Sequence, residues 1–177
     1  GDHPGLFAYG EHLNVALPPR SRSSKLPALM RALESLKPEG AAHHDALLER
    51  LSRHFRRRGI VVVISDMLEA ESSLPTVLRG IVARGGTCLA LQVLDRDEID
   101  LPQFELARFI DAETGRELIA SPGQLTEAYS TAFDRFQTEL EGEMARGQIE
   151  FVRMLTDEPI GTALASFLRL RQRRIAS

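Results

Sequence analysis

The chain predicts an α/β fold in three layers, a doubly wound, mostly parallel sheet with helices on both faces. Three observations point there. The run Gly59-Ile60-Val61-Val62-Val63-Ile64-Ser65-Asp66 is an unbroken β-branched stretch opened by Gly and closed by a small polar residue and an acid. It reads as a central strand of a parallel sheet, buried on both faces. A second apolar run, Thr87 through Leu94, also ends in an acid, Asp95. Between the two runs, Leu74, Val77, Leu78, Ile81 and Val82 recur at helical spacing. Strand, helix, strand over this distance is a right-handed crossover unit. Each acid then falls just beyond the carboxyl end of its strand, where open α/β sheets place their ligands.

The remaining elements follow in chain order. Leu6-Phe7-Ala8-Tyr9 and Leu13-Asn14-Val15-Ala16-Leu17 flank a Gly10-Glu11 turn and form a hairpin, which Pro18-Pro19 ends. The basic, Ser-rich stretch Arg20 through Ser24 is a loop. Leu26, Leu29, Met30, Leu33 and Leu36 mark the inner face of a helix stopped by Pro38 and Gly40. A second helix carries Leu47, Leu48, Leu51 and Phe55 inward, with Arg56-Arg57-Arg58 in its last turn, where cations complement the helix dipole. Ser72 or Ser73 caps the crossover helix and Gly85-Gly86 closes it.

Beyond Asp95, Ala107–Ile110 and Arg116–Ile119 flank Asp111-Ala112-Glu113-Thr114-Gly115, a second antiparallel hairpin. Ser121-Pro122-Gly123-Gln124 is a helix start, with a Ser cap, Pro in the first turn and Gln three residues on. Leu125, Tyr129, Phe133, Phe136, Leu140 and Met144 form the buried stripe of that long helix. Ile149–Leu155 alternates weakly and carries charge, as an edge strand does. Thr156-Asp157-Glu158-Pro159 opens a last helix bearing Ile160, Leu164, Phe167 and Leu168, and 168–177 is a frayed basic tail.

Composition narrows the function classes. The 177 residues fit one domain, large enough to bury ~70% of the surface its unfolded chain exposes. A net charge of -3 argues against nucleic-acid binding driven by bulk charge. A single cysteine, Cys88, excludes an internal disulfide framework and suits a reducing compartment. No apolar run reaches the ~20 residues that span a bilayer, and no signal peptide opens the chain. The expectation is a cytoplasmic domain; a membrane-anchored parent protein is compatible with it.

Several short motifs occur in order: Gly1-Asp2-His3-Pro4-Gly5-Leu6, Leu17-Pro18-Pro19-Arg20, Val63-Ile64-Ser65-Asp66, Leu91-Gln92-Val93-Leu94-Asp95, Asp111-Ala112-Glu113-Thr114-Gly115-Arg116 and Thr156-Asp157-Glu158-Pro159. Together they resemble the carboxy-terminal part of a bacterial family of uncharacterised proteins related to the von Willebrand factor A domain, often encoded beside MoxR-type AAA+ ATPases. The resemblance covers nearly the whole chain. It implies a von Willebrand A-like sheet, here a single incomplete domain over 1–177 that lacks the first central strand. It also implies a metal-ion-dependent adhesion site built from an Asp-x-Ser-x-Ser element, a Thr and a later Asp. Asp66 corresponds to the last of these. The first element would precede Gly1, and the loop expected to hold the Thr reads Glu39-Gly40-Ala41-Ala42-His43-His44-Asp45. The metal site is therefore expected to be degenerate, with no Mg²⁺ bound unless the upstream motif is supplied.

Candidate site residues gather at the same edge. A carboxylate at a strand end, Asp66, can bind a hard cation or cap the following turn. Asp95 follows the neighbouring strand and either joins Asp66 or serves loop polarity. Imidazoles beside a carboxylate, His43-His44-Asp45, could ligate a transition metal. Adjacent helical residues point ~100° apart, however, which favours capping by Asp45 with two exposed His. No Gly-x-Ser-x-Gly, His-Glu-x-x-His or Walker loop occurs, and Cys88 lies inside a strand as a buried thiol.

Two functions follow as expectations. The favoured one is a non-enzymatic protein-interaction module of von Willebrand A type; the resemblance implies its role as an adaptor partner of a MoxR-type AAA+ ATPase. The other is a metal- or phosphate-dependent enzyme using Asp66, with Asp95 and His43 or His44 around it. A missing central strand would leave a gap in the sheet. Either Leu6–Tyr9 closes onto Ile60–Ile64, or a second copy fills the gap as a homodimer, the favoured outcome.

Overall fold

The computed structural model describes residues 4–9, 13–19, 25–37, 59–68, 73–101, 107–110, 117–120, 122–161 and 164–165. Strand β1 (Leu6–Tyr9) pairs antiparallel with β2 (Leu13–Leu17), Leu6 opposite Leu17, with a register irregularity between Ala8 and Tyr9. This is the expected first hairpin. Helix α1 (Lys25–Glu34) follows, its Pro27 in the first turn where a missing N–H costs no intrahelical bond.

The crossover unit forms as the residue pattern predicts. Strand β3 (Ile60–Ser65), helix α2 (Ser73–Ala83) and strand β4 (Thr87–Leu94) follow one another, and β3 pairs parallel with β4 from Ile60–Thr87 to Ser65–Gln92. At the end of α2, Gly85 adopts φ 84° and donates its N–H to Val82 O at 2.8 Å, while Gly86 donates to Ile81 O at 3.1 Å. This double closure ends helices at a left-handed residue, where glycine carries no Cβ penalty. A one-turn helix, α3 (Arg96–Ile99), follows β4. Then β5 (Ala107–Ile110) and β6 (Glu117–Ala120) pair antiparallel as the second hairpin. Helix α4 (Pro122–Arg146) leads into β7 (Glu150–Leu155), which pairs parallel with β4.

The result is a mixed α/β molecule whose described sheet is three-stranded, all parallel, in the order β3-β4-β7, with the two hairpins as separate two-stranded pieces. On one face, Val61, Val63, Cys88 and Ala90 pack with Leu74, Leu78 and Ile81 of α2 and Leu140 and Met144 of α4. On the other, Leu89, Leu91 and Met154 form a second buried cluster with Val152 against it. The helix faces match the predicted stripes. Leu74, Leu78 and Ile81 are buried and Val77 and Val82 pack against the core. Phe133, Leu140 and Met144 are buried and Phe136 packs on them, while Tyr129 is half-buried and stacks on Phe133 with ring centroids 5.9 Å apart. The side chain of Leu125 lies outside the described residues, as do the second expected helix, with His43 and His44, and the tail.

Two expectations need correction. The strand buried on both faces is β4, not β3. Val61 and Val63 are buried, but Ile60, Val62 and Ile64 on the opposite face are 56%, 48% and 66% exposed. The reason is position: β4 lies between two strands, whereas β3 is an edge of the described sheet with only one neighbour. An all-apolar run could not separate these cases, because the residue types do not alternate while the burial does. Second, α1 buries Leu29 but exposes Leu26, Met30 and Leu33, so its apolar spacing is not wholly a core face. Ile160 and Leu164, expected on an inner face, are exposed as well. Of the two alternatives for the sheet gap, the less favoured one is not seen: among the described strands β1 pairs only with β2, and β3 only with β4. Direct closure of Leu6–Tyr9 onto Ile60–Ile64 is not formed.

Candidate functional site

The carboxyl end of β3 is shaped by a tight turn. Ser65 Oγ accepts a hydrogen bond from the Met67 N–H at 3.1 Å, and Asp66 Oδ1 accepts one from the Leu68 N–H at 3.3 Å. The Ser65 hydroxyl lies 3.4 Å from the same Asp66 oxygen. Met67 takes φ 60°, a left-handed conformation that costs a non-glycine residue about 1–2 kcal/mol. Its side chain is fully buried in the core cluster, which stabilises by about 1.5–3 kcal/mol and offsets the strain. Burial of Met67 thus turns Asp66 outward, and the Asp66 carboxylate is exposed while serving its own turn.

A buried polar residue braces this turn from the next strand. Along β4, Cys88, Ala90, Gln92 and Leu94 point alternately to one face, and Gln92 is fully buried there. Its Nε2 donates to the Asp66 carbonyl oxygen at 3.0 Å. Its Oε1 is buried with no hydrogen-bond partner among the described residues, an arrangement a folded protein seldom leaves unmet.

The first hairpin adds a phenol. Burial pushes the Tyr9 hydroxyl up to about 12, with the nearby Asp66 charge raising it further. Tyr9 is therefore a neutral phenol at neutral pH.

Asp95 serves another structure. It caps α3, accepting from the Asp97 N–H at 3.0 Å, while its own N–H donates to Glu98 Oε2 at 2.6 Å. The Thr156 hydroxyl donates to Asp95 Oδ2 at 2.6 Å, tying the end of β4 to the turn after β7. These hydrogen bonds, the one from Thr156 foremost, hold the Asp95 carboxyl below its ordinary range. Arg96 and Asp157 add an ion pair at 2.8 Å across the same corner. The structure thus gives Asp66 and Asp95 separate partners rather than one shared centre. His43 and His44 lie outside the described residues. Cys88 is buried, and burial pushes its thiol up to about 11, so it is a core residue rather than a nucleophile.

Among the described residues, no cluster of His, Cys, Asp or Glu could hold a metal ion. A shallow depression of about 660 Å³ runs along α4 between Glu127 and Glu139, and Asp66 is not among the residues lining it. Tyr9, Gln92 and Thr156 escaped sequence reasoning. For Gln92 the signal was present, as the polar residue within an otherwise apolar strand run. Tyr9 and Thr156 act across long sequence separations that no local pattern displays.

Comparison with known proteins places this geometry in context. The family described as "Protein of unknown function DUF58" matches residues 1–139. No curated protein matches the chain in sequence. A solved structure, described as the crystal structure of conserved hypothetical protein BatB from Bacteroides thetaiotaomicron, is similar with a TM-score of 0.53 and 16% identity, covering 95% of this chain and 77% of that one. At that identity the likeness is one of fold.

Proposed function

The chain belongs to the DUF58 family of proteins of unknown function, and from its motif resemblance we propose that it is a non-enzymatic protein-interaction module of von Willebrand A type, an adaptor partner of a MoxR-type AAA+ ATPase. The observation that carries the interaction reading is its exposed apolar surface. Leu26, Met30 and Leu33 stand exposed on α1 at i, i+4 and i+7, one stripe of a helix. Ile60, Val62 and Ile64 stand exposed along one face of β3. Apolar groups gathered in this way mark surfaces that meet other proteins, whereas scattered ones do not. A helix bearing such a stripe suits a groove on a partner, read through those anchors. The motif resemblance names the ATPase as that partner. Calorimetric titration of the chain into the purified ATPase, with ATP present, should give saturable binding. Absence of binding heat at several temperatures would remove the ATPase from the reading.

A second reading keeps some support from Asp66, an exposed carboxylate beside the Ser65 hydroxyl and near the Gln92 side chain, whose buried Oε1 lacks a partner among the described residues. Here a divalent ion at the sheet's carboxyl edge would serve a metal- or phosphate-dependent reaction. The turn already uses one Asp66 oxygen for the Leu68 N–H, and a Mg²⁺ site needs near-octahedral oxygen ligands. The favoured reading predicts no change in melting temperature on adding Mg²⁺ or Mn²⁺. Specific binding at a hundredfold excess over Kd would add about 2.7 kcal/mol, a rise of roughly 5–10 °C, and would revive the enzyme reading.

A further inference from the structure

We propose that Met30 is a redox switch on the exposed stripe of α1: a peroxide converts its thioether to the sulfoxide, and the stripe then loses its hold on an apolar partner. The proposal rests on the interaction-module reading and gives that same surface its regulation.

The sulfur of this chain is unevenly placed. The sequence holds four methionines and one cysteine. Met67 and Met144 are fully buried in the main core cluster, Met154 is buried in the second cluster, and Cys88 is buried in β4. Met30 is 49% exposed. Oxidation follows access to the sulfur, so a peroxide meets this methionine first. Cys88 does not compete. The thiolate is the reactive form of a cysteine, and burial pushes this thiol up to about 11.

Met30 also holds the middle of the stripe. Helix α1 turns Leu29 inward and carries Leu26, Met30 and Leu33 outward, with Met30 about one turn from each of the other two. A thioether is apolar and polarizable, and it fits irregular apolar contacts. The sulfoxide oxygen is a polar acceptor. Buried against an apolar partner it would find no donor, and an unmet polar group in such a contact is costly. In the free chain the same oxygen faces water and leaves the core untouched. At Met67 or Met144 it would enter the core instead. The burial pattern thus separates loss of binding from loss of fold.

The step balances with peroxide as the oxidant. The Met30 sulfur gives an electron pair to one peroxide oxygen, and the O–O bond breaks. The released hydroxide takes the proton left on the transferred oxygen and departs as water. A dithiol reductase reverses the step: its thiols become a disulfide and the oxygen leaves as water.

Brief treatment of the 177-residue chain with hydrogen peroxide, quenched by catalase and read by peptide mass mapping, tests the first half. Oxygen should arrive on Met30 at least about tenfold faster than on Met67, Met144 or Met154. The singly oxidised chain should melt within about 2 °C of the parent. It should leave a hydrophobic-interaction column earlier and bind the AAA+ ATPase at least about tenfold more weakly, and a dithiol sulfoxide reductase should restore both. Met30→Leu, an apolar swap of similar volume, should match the parent before peroxide and not change after it. Oxidation of a buried methionine as fast as Met30, unchanged column retention, or an equal loss in Met30→Leu would overturn the switch. A chain that binds the ATPase equally well in both forms sinks the switch and leaves the module reading intact. A parent chain that ignores the ATPase removes that partner, while oxidation rates and column retention still decide the switch.

Discussion

Tyr9 and Asp66 are the residues whose chemistry most depends on the fold. Burial is the larger cause of Tyr9's raised value and the Asp66 charge the smaller. In the unfolded chain the phenol titrates near 10. Because the folded value is higher, the stabilisation it brings is fully present below pH ~10 and is lost as pH rises through about 12. The chain has two tyrosines, and Tyr129 is also raised, chiefly by burial. Phenolate absorbance in Asp66→Asn should therefore show the Tyr9 transition moving down yet staying above the ordinary value, with that of Tyr129 unmoved. An unchanged Tyr9 would mean the carboxylate does not act on it. A return to 10 would mean burial is not the main cause. Gln92 makes the complementary point: its polarity is visible in the sequence, but its role as a brace on the Asp66 carbonyl appears only when β3 and β4 lie side by side.

Much at the level of elements is legible from residue order. The two hairpins, the β3–α2–β4 crossover, the closing glycines and the inner faces of α2 and α4 follow from periodicity and turn chemistry. What escapes is environment. Val-rich β3 looks like a central strand because residue type reports what a face could bury, whereas the exposure of Ile60, Val62 and Ile64 depends on which strand lies beyond it. The same holds for α1, where the spacing of Leu26, Met30 and Leu33 marks a helix but not its neighbour. A paired substitution separates core stripe from exposed stripe. Leu78→Ala removes a fully buried side chain and should destabilise by about 2–5 kcal/mol, lowering Tm by roughly 5–15 °C. Met30→Ala, on the exposed side of α1, should stay within about 0.5 kcal/mol of the parent chain. Equal losses in the two variants would place the α1 stripe in the core and remove it as a binding surface.

At the scale of the molecule, three features differ in chemistry. The sheet's carboxyl edge holds Asp66 in a self-satisfied turn and Asp95 in a helix cap. The edge of β3 is apolar and uncharged. The α1 stripe is apolar and helical. Candidate chemistry was legible in the sequence as acids after strands. Its division into separate hydrogen-bonded networks was not, because the partners of Asp95 include Thr156, which is 61 residues away. The central proposal is that this protein works through its apolar surfaces and not through the acid at the sheet edge. The most direct test is titration calorimetry of the AAA+ ATPase with the parent chain, with a Met30→Glu/Leu33→Glu variant and with Asp66→Ala, each first shown to melt cooperatively. The account predicts at least about tenfold weaker binding for the α1 variant, a loss of about 1.4 kcal/mol, and less than about a twofold change for Asp66→Ala. Binding that survives the α1 substitutions but collapses in Asp66→Ala would contradict it.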